Sequence, residues 1–431
     1  MVYLQPRVLI VLLLGFSSGL PLALSGSTLL IWMREAGVDL GTIGLFALVG
    51  TPYTLKFIWA PLVDALHVPL LTSTFGRRRG WLVFSQLLLI AAIVFLAVSD
   101  PARAPLMVAI GALLVAATSS TQDIVVDAFR VESLPESEQA AGMAGYVAAY
   151  RIGMLVSTAG ALFLVSAIEQ AGFARGDAWM WGYIAMAALV LIGTITALAA
   201  TEPAPSVRAE AATRDETAGA RIVKAATGAL TDFLQRRDAW AALAFVVLFK
   251  FTDAFSGTMT APFVIDLGFT RNDYAAIVKG VGLAATLLGG FAGGFVARRY
   301  SLGASLWIGG VLQAIANLSF SWLAFVGVNQ WALAFAITAE NFTSAIGTVI
   351  FVAYLSALCR NPLHTATQYA LLTALAAVGR TYLSSGAGYV AKATGWPLFF
   401  VICMVVAVPS LVVLAWLQRR GHFSDLETKR A

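Results

Sequence analysis

Charge is the scarce commodity in this chain. Only 12% of its 431 residues are Asp, Glu, Lys or Arg, about half the share of a soluble domain. Against that, 59% are hydrophobic and the mean hydropathy is +0.82. No water-soluble core absorbs so much apolar surface, which excludes a soluble enzyme or binding module. Cysteine is almost missing too. Cys359 and Cys403 stand in separate segments without ligand spacing, so neither a disulfide framework nor a zinc site is suggested and buried, unreactive thiols are expected. The three histidines, His67, His364 and His422, fall in or near loops. There is no Walker sequence, no His/Cys metal cluster and no Gly-x-Ser-x-Gly. The chain is therefore expected to hydrolyse no nucleotide and to need no metal or cofactor.

What is abundant is apolar runs of the ~20 residues that cross a ~30 Å hydrocarbon layer. Six spans are read first, Val8 to Trp32, Gly41 to Leu66, Gly80 to Val98, Ala104 to Ala128, Ala140 to Ser166 and Ala178 to Ala200. Six follow, Asp238 to Phe263, Asn272 to Ala297, Leu302 to Val326, Gln330 to Leu358, Ala366 to Ala391 and Trp396 to Leu417. The first run is too long for a signal-peptide core and is read as a retained span. Between the sets lies a polar stretch with Pro203, Pro205 and scattered Lys and Arg. The predicted organisation is a six-helix bundle over 1–200, a central cytoplasmic loop over 201–237, a second bundle over 238–418 and a cytoplasmic tail over 419–431.

Lys and Arg in short loops set orientation. With both termini cytoplasmic, only Arg34, Arg103, Arg175, Arg271 and Lys392 fall outside, while Arg77, Arg78, Arg79, the central loop, Arg298, Arg299, Arg419 and Arg420 fall inside. The net charge of +5 is thus explained by the bilayer, and no nucleic-acid partner is needed. Two matches at nearly equal separation, Ser25-Gly26-Ser27 with Ser256-Gly257-Thr258 and Arg151 with Arg380, point to two related halves. Runs such as Gly289-Gly290 and Gly293-Gly294 read as close helix contacts.

The charges inside the spans are the functional signal. Lys56, Asp123, Asp127, Arg151, Lys250, Asp253, Lys279, Glu340 and Arg380 each cost about 2.5 to 3.5 kcal/mol at a helix centre on insertion scales. A polar path through the bilayer removes most of that cost, and an anchor or scaffold has no use for it. Asp127 is placed to pair with Arg130. Asp123 reads either as a group that binds and releases a proton or as a structural partner of Arg151, and Glu340, beside Asn341, has the same two readings. Lys250 and Asp253 stand one turn apart, so they either neutralise each other or leave Lys250 to meet an anionic solute. Lys56, Arg151, Lys279 and Arg380 are expected to pair with carboxylates inside the membrane.

Pro61-Leu62-Val63-Asp64 followed by Phe75-Gly76-Arg77-Arg78-Arg79-Gly80 resembles the signature between the second and third helices of the major facilitator superfamily, with Pro61 where glycine is usual and an insertion before the arginines. The stretches Gly15 to Leu24, Lys56 to Pro61, Phe75 to Trp81, Gln122 to Ala128, Tyr150 to Ser157 and Ala366 to Arg380 resemble, more narrowly, the muropeptide permeases of the AmpG family. That resemblance implies an all-α membrane protein of twelve helices in two pseudo-symmetric halves. It also implies import of anhydromuropeptides, GlcNAc-anhydroMurNAc and its peptides, from periplasm to cytoplasm, for wall recycling and β-lactamase induction signalling. The proton gradient is the implied energy source, and the membrane is the bacterial inner one. By the family pattern the first, fourth, seventh and tenth spans line the cavity. Ser25, Gln122, Asp123, Lys250, Asp253, Glu340 and Asn341 become candidate contacts for an anionic glycopeptide, with Asp123 and Glu340 as proton-coupling groups. Asp64, Arg77, Arg78 and Arg79, with Asp127 and Arg130, are expected to form a cytoplasmic latch. A monomer is expected. Some family members carry two further C-terminal helices, and this chain stops soon after the twelfth span. The competing readings are a superfamily carrier of another bulky anion such as acetyl-CoA and, from another class, a membrane enzyme or scaffold.

Overall fold

A computed structural model of the chain describes residues 4–203, 234–235, 238–358 and 365–427. Among them, eleven helices are long and apolar enough to cross a membrane. In chain order they are α1 (Pro6–Glu35), α2 (Leu40–Ile58), α3 (Arg77–Ala97), α4 (Pro105–Arg130), α5 (Gly145–Gln170), α6 (Arg175–Ala199), α7 (Ala239–Asp266), α8 (Arg271–Arg299), α9 (Leu302–Val326) and α10 (Gln330–Leu358). The last is α12 (Trp396–Arg419). The remaining expected span, α11, is helical but broken, as Thr365–Tyr382 and Ala387–Thr394 around a 3-10 turn. The expected central loop lies outside the described residues over 204–233, as do Cys359 and His364.

Several spans are interrupted where the sequence predicts unbroken helices. Pro21 lies inside α1, whose regular turns stop at Leu24 and resume at Ser27. Proline lacks the N–H that a helix interior needs, and Tyr183 of α6 donates to the Leu24 carbonyl at the break, 2.9 Å away. Helix α2 is divided by 3-10 turns at Phe46–Gly50 and Lys56–Ile58, with Pro52 and Pro61 opening the following helical pieces. Wide π-turns occupy Val156–Gly160 in α5 and Tyr274–Val281 in α8. Such turns leave backbone groups to be satisfied from elsewhere; the Thr28 hydroxyl of α1 donates to the Ser157 carbonyl at 2.8 Å.

The chain divides into two compact units. One comprises Met1–Val38 and Val49–Arg221, the other Asp39–Leu48 and Ile222–Ala431. The first part of α2 thus packs with the second unit, where the sequence reading assigns all of 1–200 to the first. Each unit repeats the same devices. In the first, the Trp179 indole of α6 donates to Glu35 at the end of α1 at 3.0 Å; in the second, the Trp396 indole of α12 donates to Asp266 at the end of α7 at 3.2 Å. Glu35 and Asp266 are separated by the same interval as Ser25 and Ser256.

A second repeated device is close helix approach at glycine. A Cβ on Gly153 of α5 would collide with the Phe16 carbonyl of α1, and one on Gly379 of α11 would lie 2.8 Å from the Val247 carbonyl of α7. Lipid offers no hydrophobic drive for helices to associate, so small residues that let backbones approach carry the packing. Aromatic side chains complete each core. Trp32 stacks on Trp179 at 5.7 Å in the first unit, and Phe249 on Phe351 at 5.3 Å in the second.

Candidate functional site

Each unit places a carboxylate and an amide inside its helices, in different ways. In the first unit, Gln122 is fully buried and its Nε2 donates to Ser18 Oγ of α1 at 3.2 Å. Ser25 is also buried, its hydroxyl donating to the Pro21 carbonyl at 3.2 Å. Both were expected to meet solute. One ties α4 to α1 and the other closes a helix end. Asp123, one position round from Gln122, is 8% exposed. Its Oδ1 has no protein partner, and a buried carboxylate oxygen so placed calls for a proton, a water or a ligand.

The pairing expected between Asp123 and Arg151 is absent. Arg151 and Arg380 are exposed on their helices, and no described carboxylate lies within 4.0 Å of Lys56, Arg151, Lys279 or Arg380. Lys279 lies over the Tyr274 ring, 5.5 Å from its centre; a cation over an aromatic face substitutes in part for a carboxylate partner.

The second unit gathers more chemistry. Lys250 Nζ stands 3.4 Å from Asp253 Oδ2 and donates to Thr348 Oγ1 of α10 at 2.8 Å. The Ser344 hydroxyl donates to Asp253 Oδ1 at 2.7 Å. Both Asp253 and Glu340 face a pocket of about 210 Å³, its open mouth included. Asn341 holds Glu340, its Nδ2 donating to Glu340 Oε2 at 2.8 Å and to the Ile337 carbonyl at 3.0 Å, while the Thr286 hydroxyl donates to Asn341 Oδ1 at 3.2 Å. Asn341 is thus a clamp on Glu340.

Sequence reasoning passed over the amides of the third helix in each half. Gln313 and Asn317 of α9 are 6% and 4% exposed and line the pocket. Their counterpart on α3, Gln86, is fully buried with neither amide atom bonded. An uncharged amide carries little weight beside an intramembrane charge, but Gln313, Asn317 and Ser321 recur at helical spacing in an otherwise apolar run, and that stripe is the legible signal.

At the N-terminal end of α3 the arginines are engaged with residues the sequence reading did not choose. Arg78 makes a two-pronged contact with Glu132, Nε to Oε2 at 2.9 Å and Nη2 to Oε1 at 2.6 Å, and Arg77 lies 3.8 Å from the same carboxylate. Glu202 accepts from the backbone N–H groups of Arg78 and Arg79 at 2.8 and 2.9 Å, a carboxylate capping a helix N-terminus. Arg79 also donates to the Ala197 carbonyl at 3.0 Å. Asp127 and Arg130 stand 3.7 Å apart. The side chain of Asp64 lies outside the described residues.

Residues 11–384 match the family model of the Major Facilitator Superfamily. The chain is 39% identical to the anhydromuropeptide permease of Escherichia coli strain K12, over 96% of this chain and 80% of that one. It is 34% identical to a putative transporter, AmpG 4, of Rickettsia felis, over 96% and 97%. The solved structure of a D-xylose–proton symporter superposes with a TM-score of 0.69 at 14% identity, covering 95% of this chain and 97% of that one. These relatives are carriers, which removes the enzyme and scaffold readings. The chain belongs to the major facilitator superfamily and is a multi-pass membrane transporter.

Proposed function

We propose that this chain imports anhydromuropeptides across the bacterial cytoplasmic membrane, as a monomer with both termini in the cytoplasm, driven by the proton gradient. The observation that carries the solute assignment is the 39% identity, sustained over 96% of the chain, to a permease named for that solute. The site is consistent with a glycopeptide bearing carboxylates. In the second unit Lys250 offers a cation, and the hydroxyls of Thr343 and Ser344 offer groups for sugar and amide. Asp123 and Glu340 are the proposed proton carriers. Asp253 is less suited because Lys250 and Ser344 already engage both of its oxygens.

For coupling, the protonated and ionised forms must favour different conformations, since a proton shifts an equilibrium only by its differential affinity. The test is uptake of labelled GlcNAc-anhydroMurNAc-peptide by a Gram-negative strain lacking its own muropeptide permease. Expression of this chain should restore accumulation, and a protonophore should abolish it. Accumulation of acetyl-CoA in vesicles, with none of the muropeptide, would move the assignment to the other bulky anion.

A further inference from the structure

The pocket beside Glu340 has a feature that solute binding does not explain. Gln313 and Asn317 stand one turn apart on α9, and the Asn317 Nδ2 donates to the Gln313 carbonyl at 3.0 Å. That leaves Asn317 Oδ1, an acceptor, and Gln313 Nε2, a donor, with no partner although both residues are more than nine-tenths buried. The Gln313 amide lines the same pocket as the Asp253 carboxylate, yet makes no bond to it at hydrogen-bonding distance. Orphaned buried amides are costly, and in native interiors they are normally satisfied by ordered water when protein does not reach them.

The identity of the occupant follows from the two unmet groups. A metal cation would satisfy Asn317 Oδ1 and the carboxylates but would be repelled by the Gln313 N–H. An anion would satisfy that N–H and be repelled by Asp253, Glu340 and Asn317 Oδ1. Water both donates and accepts. The pocket, open at its mouth, has room for about one water molecule between these side chains.

We propose that Gln313 and Asn317 seat ordered water against Asp253 and Glu340, and that this water receives the proton when Glu340 ionises. Gln313 Nε2 donates to the water oxygen, and Asn317 Oδ1 and the Asp253 carboxylate accept its hydrogens. In the transfer the O–H bond of Glu340 breaks and an O–H bond to water forms; the hydronium so made passes a different proton toward the pocket mouth, leaving Glu340 as carboxylate and the water restored. Gln313 and Asn317 are thus positioning residues, acting on Glu340 through water. The inference rests on the proton-coupled reading given above.

Two measurements test it separately. In proteoliposomes, Gln313→Leu and Asn317→Leu should reduce gradient-driven uptake far more than muropeptide counterflow, which needs no net proton movement. They should lose gradient-driven uptake by tenfold or more. Asn317→Ser, which retains a group able to hold water, should retain most of it. Parallel loss of counterflow and driven uptake, or no loss of either, overturns the proposal. Independently of transport, an experimental structure of the wild-type protein at a resolution that shows solvent should contain ordered water bonded to Gln313 Nε2 and Asn317 Oδ1, and a dry pocket or an ion there overturns it. If wild type shows no gradient-driven uptake while the water is present, it is the coupled-transport reading that has failed.

Discussion

Replacing Lys250 by Met removes the cation that stands 3.4 Å from Asp253 while nearly preserving side-chain volume. At that separation an effective dielectric of about 20 gives an attraction of roughly 5 kcal/mol before desolvation is counted. Breaking one side of a buried pair costs about 3–5 kcal/mol, because the survivor is left as an uncompensated charge. Here the two side chains are 19% and 25% exposed and Ser344 continues to donate to Asp253. Those two facts reduce the expected loss to about 2–3 kcal/mol. At roughly 2–4 °C per kcal/mol for a body of this size, Lys250→Met should lower the melting temperature of the purified protein by about 5–10 °C. Adding Asp253→Asn removes the stranded charge, so the double variant should recover most of that loss. It should still fail to carry an anionic solute, since its cation is gone. The assay is thermal unfolding in detergent for the two single variants and the double, with uptake measured alongside. A Lys250→Met protein that melts with wild type, or a double variant less stable than both singles, would refute the reasoning.

Other expectations follow from separate places in the fold. Gly153→Ala should cost about 1–3 kcal/mol by forcing α5 off the Phe16 carbonyl, whereas Gly257→Ala, with nothing within 4 Å of the new methyl, should be neutral or stabilising by up to about 1 kcal/mol; equal melting shifts in the two variants would contradict this. Glu132→Ala deprives Arg78, 6% exposed, of its two-pronged partner and should destabilise by about 3 kcal/mol. Asp64→Asn should instead slow turnover and leave solute affinity nearly intact, and a loss confined to binding would remove Asp64 from the latch. The Thr42 hydroxyl holds the Asp39 carboxyl below its ordinary value of 3.8, with Lys392 helping and desolvation opposing. A lowered folded value means that its contribution is complete above pH 3.8 and is lost only as pH falls below it. The stability difference between wild type and Asp39→Asn, about 0.2–1 kcal/mol for so exposed a pair, should therefore stay flat between about pH 5 and 8, and a slope across that range would contradict the assignment.

The spans and their interruptions show what a linear reading reaches. Apolar runs of sufficient length give the spans because the bilayer imposes one length on every crossing. The breaks at Ser25-Gly26 and within α2 were less legible, since proline and glycine inside a membrane helix are tolerated whenever a neighbour such as Tyr183 satisfies the freed carbonyl. Charged site residues announced themselves because charge in a span is rare. Which face of the helix each presents could not be read at single-residue precision: Gln122 and Ser25 are buried and Arg151 is exposed. Partners distant in sequence were the hardest to find. Glu132 and Glu202 reach the Arg77–Arg79 cluster only because α3, α4 and α6 pack together, and nothing in the spacing of those carboxylates says so. The repeat was legible at Ser25 and Ser256, and the indole–carboxylate pairs Trp179–Glu35 and Trp396–Asp266 extend it to residues that resemble each other only in role.

The claim on which the account turns is that a proton gradient drives solute through this chain by way of Asp123 and Glu340. The direct measurement is uptake of labelled GlcNAc-anhydroMurNAc-peptide into proteoliposomes of the purified protein, with the outside acidified relative to the lumen. Wild type should accumulate the solute above its external concentration and stop when a protonophore collapses the gradient; Asp123→Asn or Glu340→Gln should abolish that accumulation and spare exchange of solute already present on both sides. Full gradient-driven accumulation in both variants would contradict the account and leave those carboxylates with a structural role.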